Sequence, residues 1–225
     1  MQAATYHGRK DIRVEEVPEG TVGAGEVRID IDACGICGSD LHEYTAGPIF
    51  VPEGDPHPVS EEAAPIRMGH EYSGTIAEVG DEVTGLTVGD AVAVNPILYC
   101  GECRQCHEGN YHICDSIGFI GLSGGNGGFA ESAVVHAEHA VPLGDAVPVE
   151  HGALVEPLSV ALHAVRRSGL QAGDAVAVFG SGPIGLAVIQ CARVAGAGTI
   201  FVSEPREARR ERAADCGAAE LIDPT

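Results

Sequence analysis

Ala175-Val-Ala-Val-Phe-Gly-Ser-Gly-Pro-Ile-Gly185 decides the fold. Five apolar residues run into a turn with glycine at 180, 182 and 185, and Pro183 opens an apolar helical stretch that reaches Ala195. An uninterrupted apolar strand suits a parallel sheet covered on both faces. A glycine triplet alone is a weak signal; a strand before it and a helix after it supply the context that a dinucleotide turn needs. Gly180 makes the turn, Gly182 admits a pyrophosphate close to the backbone, and Gly185 lets the helix pack on the strand. The helix N-terminus then faces the anion. Outward from this turn, Thr199–Val202 reads as a second strand and Arg206–Asp215 as an Arg/Glu-rich helix. Upstream, Gly152–Arg167 is apolar at helical spacing through Leu154, Leu158, Leu162 and Val165, with Ser168-Gly169 as its stop. Strands alternating with helices predict an α/β unit with a parallel sheet. Glu204 follows the second strand, 19 residues after Gly185. A carboxylate there accepts hydrogen bonds from adenosine ribose hydroxyls and repels a 2′-phosphate, favouring NAD over NADP. Arg206, Arg209, Arg210 and Arg212 form a basic cluster that could hold a 2′-phosphate instead. With Glu207 and Glu211 interleaved, they read as an ordinary charged helix face.

The residues before Gly144 have a different texture, β-rich and punctuated by glycine. Glu26-Val-Arg-Ile-Asp-Ile-Asp32 alternates in near-strict period two, as a half-buried strand does. Tyr72–Val79, Asp90–Val94 and Ala130–Val135 read as further short strands between Gly, Asp and Pro breakers. Thr45–Met68 holds five prolines and reads as an irregular surface excursion. Two domains are expected, residues 1–150 and 151–225.

Acids outnumber bases, 33 Asp+Glu against 13 Lys+Arg, for a net charge of −20. That charge excludes nucleic acid and anionic membrane surfaces as partners, since both would repel it. The 44% hydrophobic content excludes a wholly disordered acidic chain. Lys10 is the only lysine, and an acidic, lysine-poor surface predicts a source rich in salt. No apolar run of about 18 residues is present, and the N-terminal residues lack the basic and apolar regions of a secretory signal. A cytoplasmic, reducing compartment is expected, in which eight cysteines serve as metal ligands or free thiols.

Cys100-x2-Cys103-x2-Cys106-x7-Cys114 is the strongest local signal. Four thiolates on short spacers converge on one tetrahedral Zn²⁺ and close its shell, which makes the site structural. His107 and His112 lie in the same lobe and read as solvated loop residues. A second, catalytic metal is suggested by Cys37, His70 and Glu156. Cys37 follows a strand in Cys34-Gly-Ile-Cys37-Gly-Ser-Asp-Leu-His42, and His70 opens the next one in Gly69-His-Glu-Tyr-Ser-Gly74. Glu156 sits in an otherwise apolar stretch, where an unpaired carboxylate would be costly unless it met a cation. Three protein ligands with an exchangeable fourth position make a catalytic zinc arrangement. Cys34 and Cys37 also form a C-x2-C, but a redox pair is the poorer use of Cys37.

Together with Val88-Gly-Asp90 and Glu156-Pro-Leu-Ser159, these motifs make the chain resemble the zinc-dependent medium-chain alcohol and polyol dehydrogenases. Gly47-Pro-Ile-Phe-Val-Pro52 and the long loop before Gly69 are most similar to the butanediol and sorbitol dehydrogenase branch. The resemblance implies an N-terminal GroES-like β-barrel catalytic domain followed by the start of a Rossmann doubly wound domain. It implies Zn²⁺, both catalytic and structural, NAD, a small alcohol or diol substrate, and a homo-oligomer for a full-length chain. Cys37 and His70 match two catalytic zinc ligands. Glu71 and Glu156 both stand as candidates for the third. Ser39 matches the hydroxyl that takes the substrate's proton, and His42 the surface end of that relay. Gly180, Gly182, Pro183, Ile184, Gly185, Glu204 and Arg209 match the cofactor contacts. The expected activity is hydride transfer between a secondary alcohol or vicinal diol and NAD; threonine and sorbitol are alternative substrates. The chain stops at Asp223-Pro-Thr225 after two clear strands and at most the start of a third, where a doubly wound sheet uses about six. A truncated domain is therefore expected, with turnover lost in this polypeptide alone; the competing expectation is a zinc-stabilised binding or assembly module.

Overall fold

The period-two run that begins at Glu26 becomes the longest strand of the molecule. It extends to Gly35, three residues past the alternating stretch, in a computed structural model that describes all 225 residues, Met1–Thr225. The chain divides into two compact units, Met1–Leu154 and Val155–Thr225. The first unit carries β1 (Gln2–Gly8), β2 (Asp11–Glu16), β3 (Glu26–Gly35), β4 (Ile66–Arg67), β5 (Glu71–Val79), β6 (Ala91–Val94), β7 (Ile97–Leu98), β8 (Gly118–Phe119), β9 (Ser132–His136) and β10 (Ala140–Pro142). Helices α1 (Gly38–Ala46) and α2 (Arg104–His107) interrupt them.

Five of these strands form an antiparallel sheet in the order β10-β6-β5-β3-β9. Its apolar positions meet in one core of Val27, Ile29, Tyr72, Ile76, Val92, Val94, Ala133 and Val135. Each such aliphatic side chain contributes about 1.5–3 kcal/mol when fully buried. The β3–β5 register is the feature that positions the site. Cys34 faces Tyr72 and Gly35 faces Glu71, so the end of one strand and the start of the next deliver their flanking residues to the same place. A smaller sheet, β2-β1-β4, packs around Tyr6, Val51, Ile66, Met68 and Leu122. The proline-rich excursion is thus partly structural, because Val51 and Ile66 are buried in this second core. β7 and β8 pair at the base of the cysteine lobe.

In the second unit, α3 (Val155–Arg167) follows a 3₁₀ segment, Val149–Leu154, that ends the first. The helix expected from Gly152 therefore starts three residues later. Then come β11 (Val176–Phe179), α4 (Pro183–Val194), β12 (Ile200–Ser203), α5 (Glu207–Cys216) and β13 (Glu220–Ile222). The three strands are parallel in the order β11-β12-β13. Val178 and Val202 pair across the sheet, and Ile189, Ala192 and Ala213 cover them from α4 and α5. Gly217 ends α5 at φ +111°, a left-handed cap that suits glycine.

Candidate metal centres and dinucleotide turn

After Gly35 the chain leaves β3 and enters α1 at Cys37. Asp40 fixes this corner: its Oδ2 accepts the Cys37 N–H at 2.7 Å, an acid in the first helical turn capping the entry. On the facing strand, Gly69 adopts φ +94° and turns the chain into His70-Glu71. As a result the ligand atoms of Cys37, His70 and Glu71 all lie within 4.8 Å of one another. His70 and Glu71 are buried and Cys37 is half-buried. The Ser39 hydroxyl lies 3.2 Å from His70 Nε2. On the other edge of the ring, Nδ1 lies 3.4 Å from Asp40 Oδ1. Neither of these two buried atoms has a hydrogen-bond partner.

This arrangement fits a metal ion. Burial pulls the His70 pKa down, but Asp40 and Cys37 beside it raise it more, to about 10. A thiol and two carboxyl groups around one buried imidazole thus make a place that demands positive charge. A soft sulfur, an imidazole nitrogen and a hard carboxylate oxygen form a mixed donor set that the borderline Zn²⁺ accepts, and three of them leave a fourth position open. Asp40 beside Nδ1 is placed as the carboxylate partner that orients a ligating histidine. His42 is exposed on α1, three residues after Ser39 and so on the same helical face. Cys34 is a different kind of thiol: burial foremost, then the Asp40 charge, raise its pKa to about 12. Its Sγ donates to the Gly35 carbonyl at 3.6 Å. Glu156 belongs to the second unit, half-buried on the first turn of α3.

Cys100, Cys103, Cys106 and Cys114 converge on their own, with Sγ–Sγ distances of 3.5 Å (Cys103–Cys106), 3.5 Å (Cys100–Cys114) and 3.9 Å (Cys103–Cys114). Four thiolates at about 2.3 Å from one tetrahedral zinc would stand about 3.8 Å apart. Backbone amides point at the sulfurs as well: Cys103 N–H donates to Cys100 Sγ at 3.4 Å, and Cys100 and Ser116 N–H both donate to Cys114 Sγ at 3.3 Å. Amides of Asp115 and Cys106 hold the Cys103 thiol down to about 6, while burial and the hydrogen bond with Cys103 push its neighbour Cys106 up to about 12, so without a cation the two share a proton. The lobe is therefore organised for thiolates, with spacing that fits a closed zinc shell. His107 and His112 are both exposed.

In the second unit, Gly180 stands at φ +87° and Gly182 caps α4, with Pro183 as its first residue. A Cβ on Gly185 would collide with the Gly180 carbonyl oxygen, which accounts for the third glycine. Glu204 is buried at the end of β12, and its carboxylate accepts N–H donors from Ser181 and Arg206, both at 3.0 Å. The Arg206 and Ser181 amides hold its pKa below the ordinary carboxylate value. Arg209 lies 3.9 Å from Glu204. Two more of the four clustered arginines have internal partners: Arg210 donates to the Glu204 carbonyl at 2.6 Å and pairs with Asp223 at 3.0 Å, and Arg212 lies 3.9 Å from Asp215. Ile184 is exposed at the start of α4.

The family model for the alcohol dehydrogenase GroES-like domain matches residues 23–145, which hold both metal-ligand sets of the first unit. The chain belongs to the zinc-dependent medium-chain alcohol dehydrogenase family. It is 48% identical to the (R,R)-butanediol dehydrogenase of Bacillus subtilis (strain 168), over 100% of this chain and 64% of that protein. The crystal structure of 2R,3R-butanediol dehydrogenase from Bacillus subtilis superposes with a TM-score of 0.93 at 48% identity, covering 99% of this chain and 63% of that one. An alcohol dehydrogenase from E. coli CFT073, solved with NADH, gives a TM-score of 0.87 at 31% identity, covering 100% and 63% of the two chains. This family member thus spans less than two thirds of the relatives it matches.

Two residues beside these sites were invisible as such in the sequence. Asp40, three residues after Cys37, faces His70 only through the fold. Ser181 reads as filler between two glycines, and no sequence signal marks its contact with Glu204.

Proposed function

We propose that this chain carries the metal-binding part and half of the nucleotide-binding part of an NAD-dependent dehydrogenase acting on a vicinal diol or secondary alcohol, 2,3-butanediol being the type substrate. The observation that carries this reading is the convergence of Cys37, His70 and Glu71 beside the Ser39 hydroxyl. In this reading residues 1–150 are the catalytic domain and 151–225 belong to the NAD-binding domain. Cys37, His70 and Glu71 hold the catalytic zinc, with Glu156 as the alternative carboxylate. Cys100, Cys103, Cys106 and Cys114 hold the structural zinc. When bound, zinc supplies Lewis acidity toward an alcohol oxygen and NAD supplies the hydride acceptor. Ser39 Oγ accepts the proton that the substrate hydroxyl gives up and passes its own outward. His42, an imidazole at the exposed end of the same helical face, releases that proton to water. Asp40, 3.4 Å from Nδ1, is placed to orient the His70 ring once the ring ligates. Gly180–Gly185 seat the pyrophosphate, while Glu204 and Arg209 read the adenosine ribose, which favours NAD over NADP.

The identity to butanediol dehydrogenases along the whole chain supports the diol over sorbitol or threonine. We further propose a reducing cytoplasm in a salt-rich cell, and a homo-oligomer for a full-length chain. No helix is long and apolar enough to cross a membrane. The test is an NADH-absorbance assay against 2,3-butanediol, sorbitol, threonine and ethanol, run on the 225-residue chain and on the chain extended by the nucleotide-binding strands that its relatives carry beyond the matched two thirds. The chain alone is expected to be inactive; in the extended chain the diol is expected to turn over fastest, and Ser39→Ala to lower kcat by about 10²–10⁴-fold at unchanged zinc content. An extended chain that keeps its zinc and reduces NAD with none of these alcohols would instead be a zinc-stabilised binding module.

A further inference from the structure

Ser181 is a small polar residue between two glycines, yet it is almost fully buried and uses both of its donors. Its N–H reaches Glu204 Oε2 at 3.0 Å, and its hydroxyl reaches the Arg209 carbonyl at 3.1 Å. Glu204 completes a bracket by taking the Arg206 N–H at 3.0 Å through Oε1. One residue earlier, Gly180 N–H donates to the Ser203 carbonyl at 2.8 Å. The phosphate turn is thereby stitched to the junction between β12 and α5. Arg209 stands over that seam: its guanidinium is 3.9 Å from Glu204 and would be 3.8 Å from a Cβ on Gly182.

We propose that Ser181 is a specificity-determining positioning residue, which fixes Glu204 and the start of α5 against the phosphate turn so that the nucleotide must carry a free 2′-hydroxyl. The inference rests on the dinucleotide reading of the turn. The physical reason is that a 2′-phosphate could enter only if Glu204 swung aside and Arg206 or Arg209 moved in. The Ser181 amide resists the first movement, and its hydroxyl, through the Arg209 carbonyl, resists a shift of Arg209. Exchanging Glu204 alone would then not convert the site, because it also strips the acceptor from the buried Ser181 N–H and loosens the turn that holds the pyrophosphate.

The test uses the 225-residue chain with ADP and 2′,5′-ADP as probes, their affinities measured by calorimetric titration. Wild type is expected to prefer ADP, and Ser181→Ala, which removes one buried hydrogen bond, to shrink the preference ratio roughly two- to tenfold. Glu204→Ala is expected to weaken both probes rather than to reverse their order. A Ser181→Ala chain that melts earlier but keeps the wild-type ratio would overturn the inference, since the residue would then be only structural. A clean reversal by Glu204→Ala would overturn it too. Wild type that binds neither probe would sink the dinucleotide reading itself, a distinguishable failure. If Ser181→Ala does not fold, hydrogen exchange of the wild-type Ser181 amide decides: slow exchange in the free chain supports the bracket, and exchange at the rate of an open loop refutes it.

Discussion

Glu43 offers the sharpest quantitative test of how α1, the helix that starts at the candidate metal centre, is held. It lies in α1 one turn after Ser39, fully buried, and no cation faces it. Its carboxylate is instead wrapped by three consecutive backbone amides: Ile49 N–H donates at 3.1 and 3.0 Å to its two oxygens, Phe50 N–H to Oε1, and Val51 N–H to Oε1 at 3.2 Å. The loop so gripped is also held by Ser123 Oγ on the Phe50 carbonyl and by Phe50 against Phe119 at 5.8 Å. Glu43→Ala removes all three acceptor contacts. Val51 is buried, so its orphaned N–H costs about 1–3 kcal/mol. Ile49 and Phe50 are exposed enough for water to replace the acid, so each loses only the net worth of a hydrogen bond, about 0.5–1.5 kcal/mol. The sum is about 2–6 kcal/mol, or a fall of very roughly 2 M in the urea midpoint of the first unit. Glu43→Gln keeps one acceptor oxygen and the shape, and should cost about half as much. Urea unfolding followed by circular dichroism on the zinc-loaded chain measures both. A Glu43→Ala midpoint within 0.3 M of wild type (about 0.5 kcal/mol) would refute the claim that this carboxylate anchors the loop to α1.

Other outcomes follow from the same structure. Cys103→Ser should lower the zinc content by one per chain while leaving the Cys37–His70–Glu71 set loaded; metal analysis decides, and loss of both zincs would contradict the separation of the two sites. Glu204 is held below its ordinary value of 4.5 by the Arg206 and Ser181 amides. Its contribution to stability is therefore full above that pH and fades as pH falls through the lower folded value. Acid titration of wild type against Glu204→Gln should show the difference between the two vanish on the acid side; a difference that grows there would be wrong for this sign. A chain of net charge −20 with a single lysine should gain solubility and thermal stability in molar KCl. Equal behaviour in dilute buffer would remove the inference of a salt-rich source.

The sequence was most legible where packing and periodicity agree. β3, β5, β11, α4 and β12 lie within three residues of their expected bounds, because Val27, Ile29, Val178, Ile189 and Val202 are core residues in a regular pattern. α1 was not read as a helix because nothing hydrophobic drives it: Leu41 and Tyr44 are exposed, and what orders it is the Asp40 cap and the Glu43 clamp. β4, β7 and β8 are two residues each, too short to show any period. β1 and β2 form a hairpin in which polar Thr5 is buried beside Tyr6 while apolar Val14 points to solvent, so the sequence pattern does not mark the buried face. Cys37 and His70, and the four lobe cysteines, stand out by residue type and spacing, and the fold brings each set together. Their partners do not stand out, since Asp40 meets His70 only through the β3–β5 register, across 30 residues of chain.

The central claim is that this chain holds two zincs of different kinds. A crystal of the protein measured on either side of the zinc absorption edge tests it directly. Two anomalous peaks are predicted, one about 2.3 Å from all four sulfurs of Cys100, Cys103, Cys106 and Cys114, the other touching Cys37, His70 and a carboxylate. A single peak in the cysteine lobe, with Cys37 and His70 bare, would contradict the account.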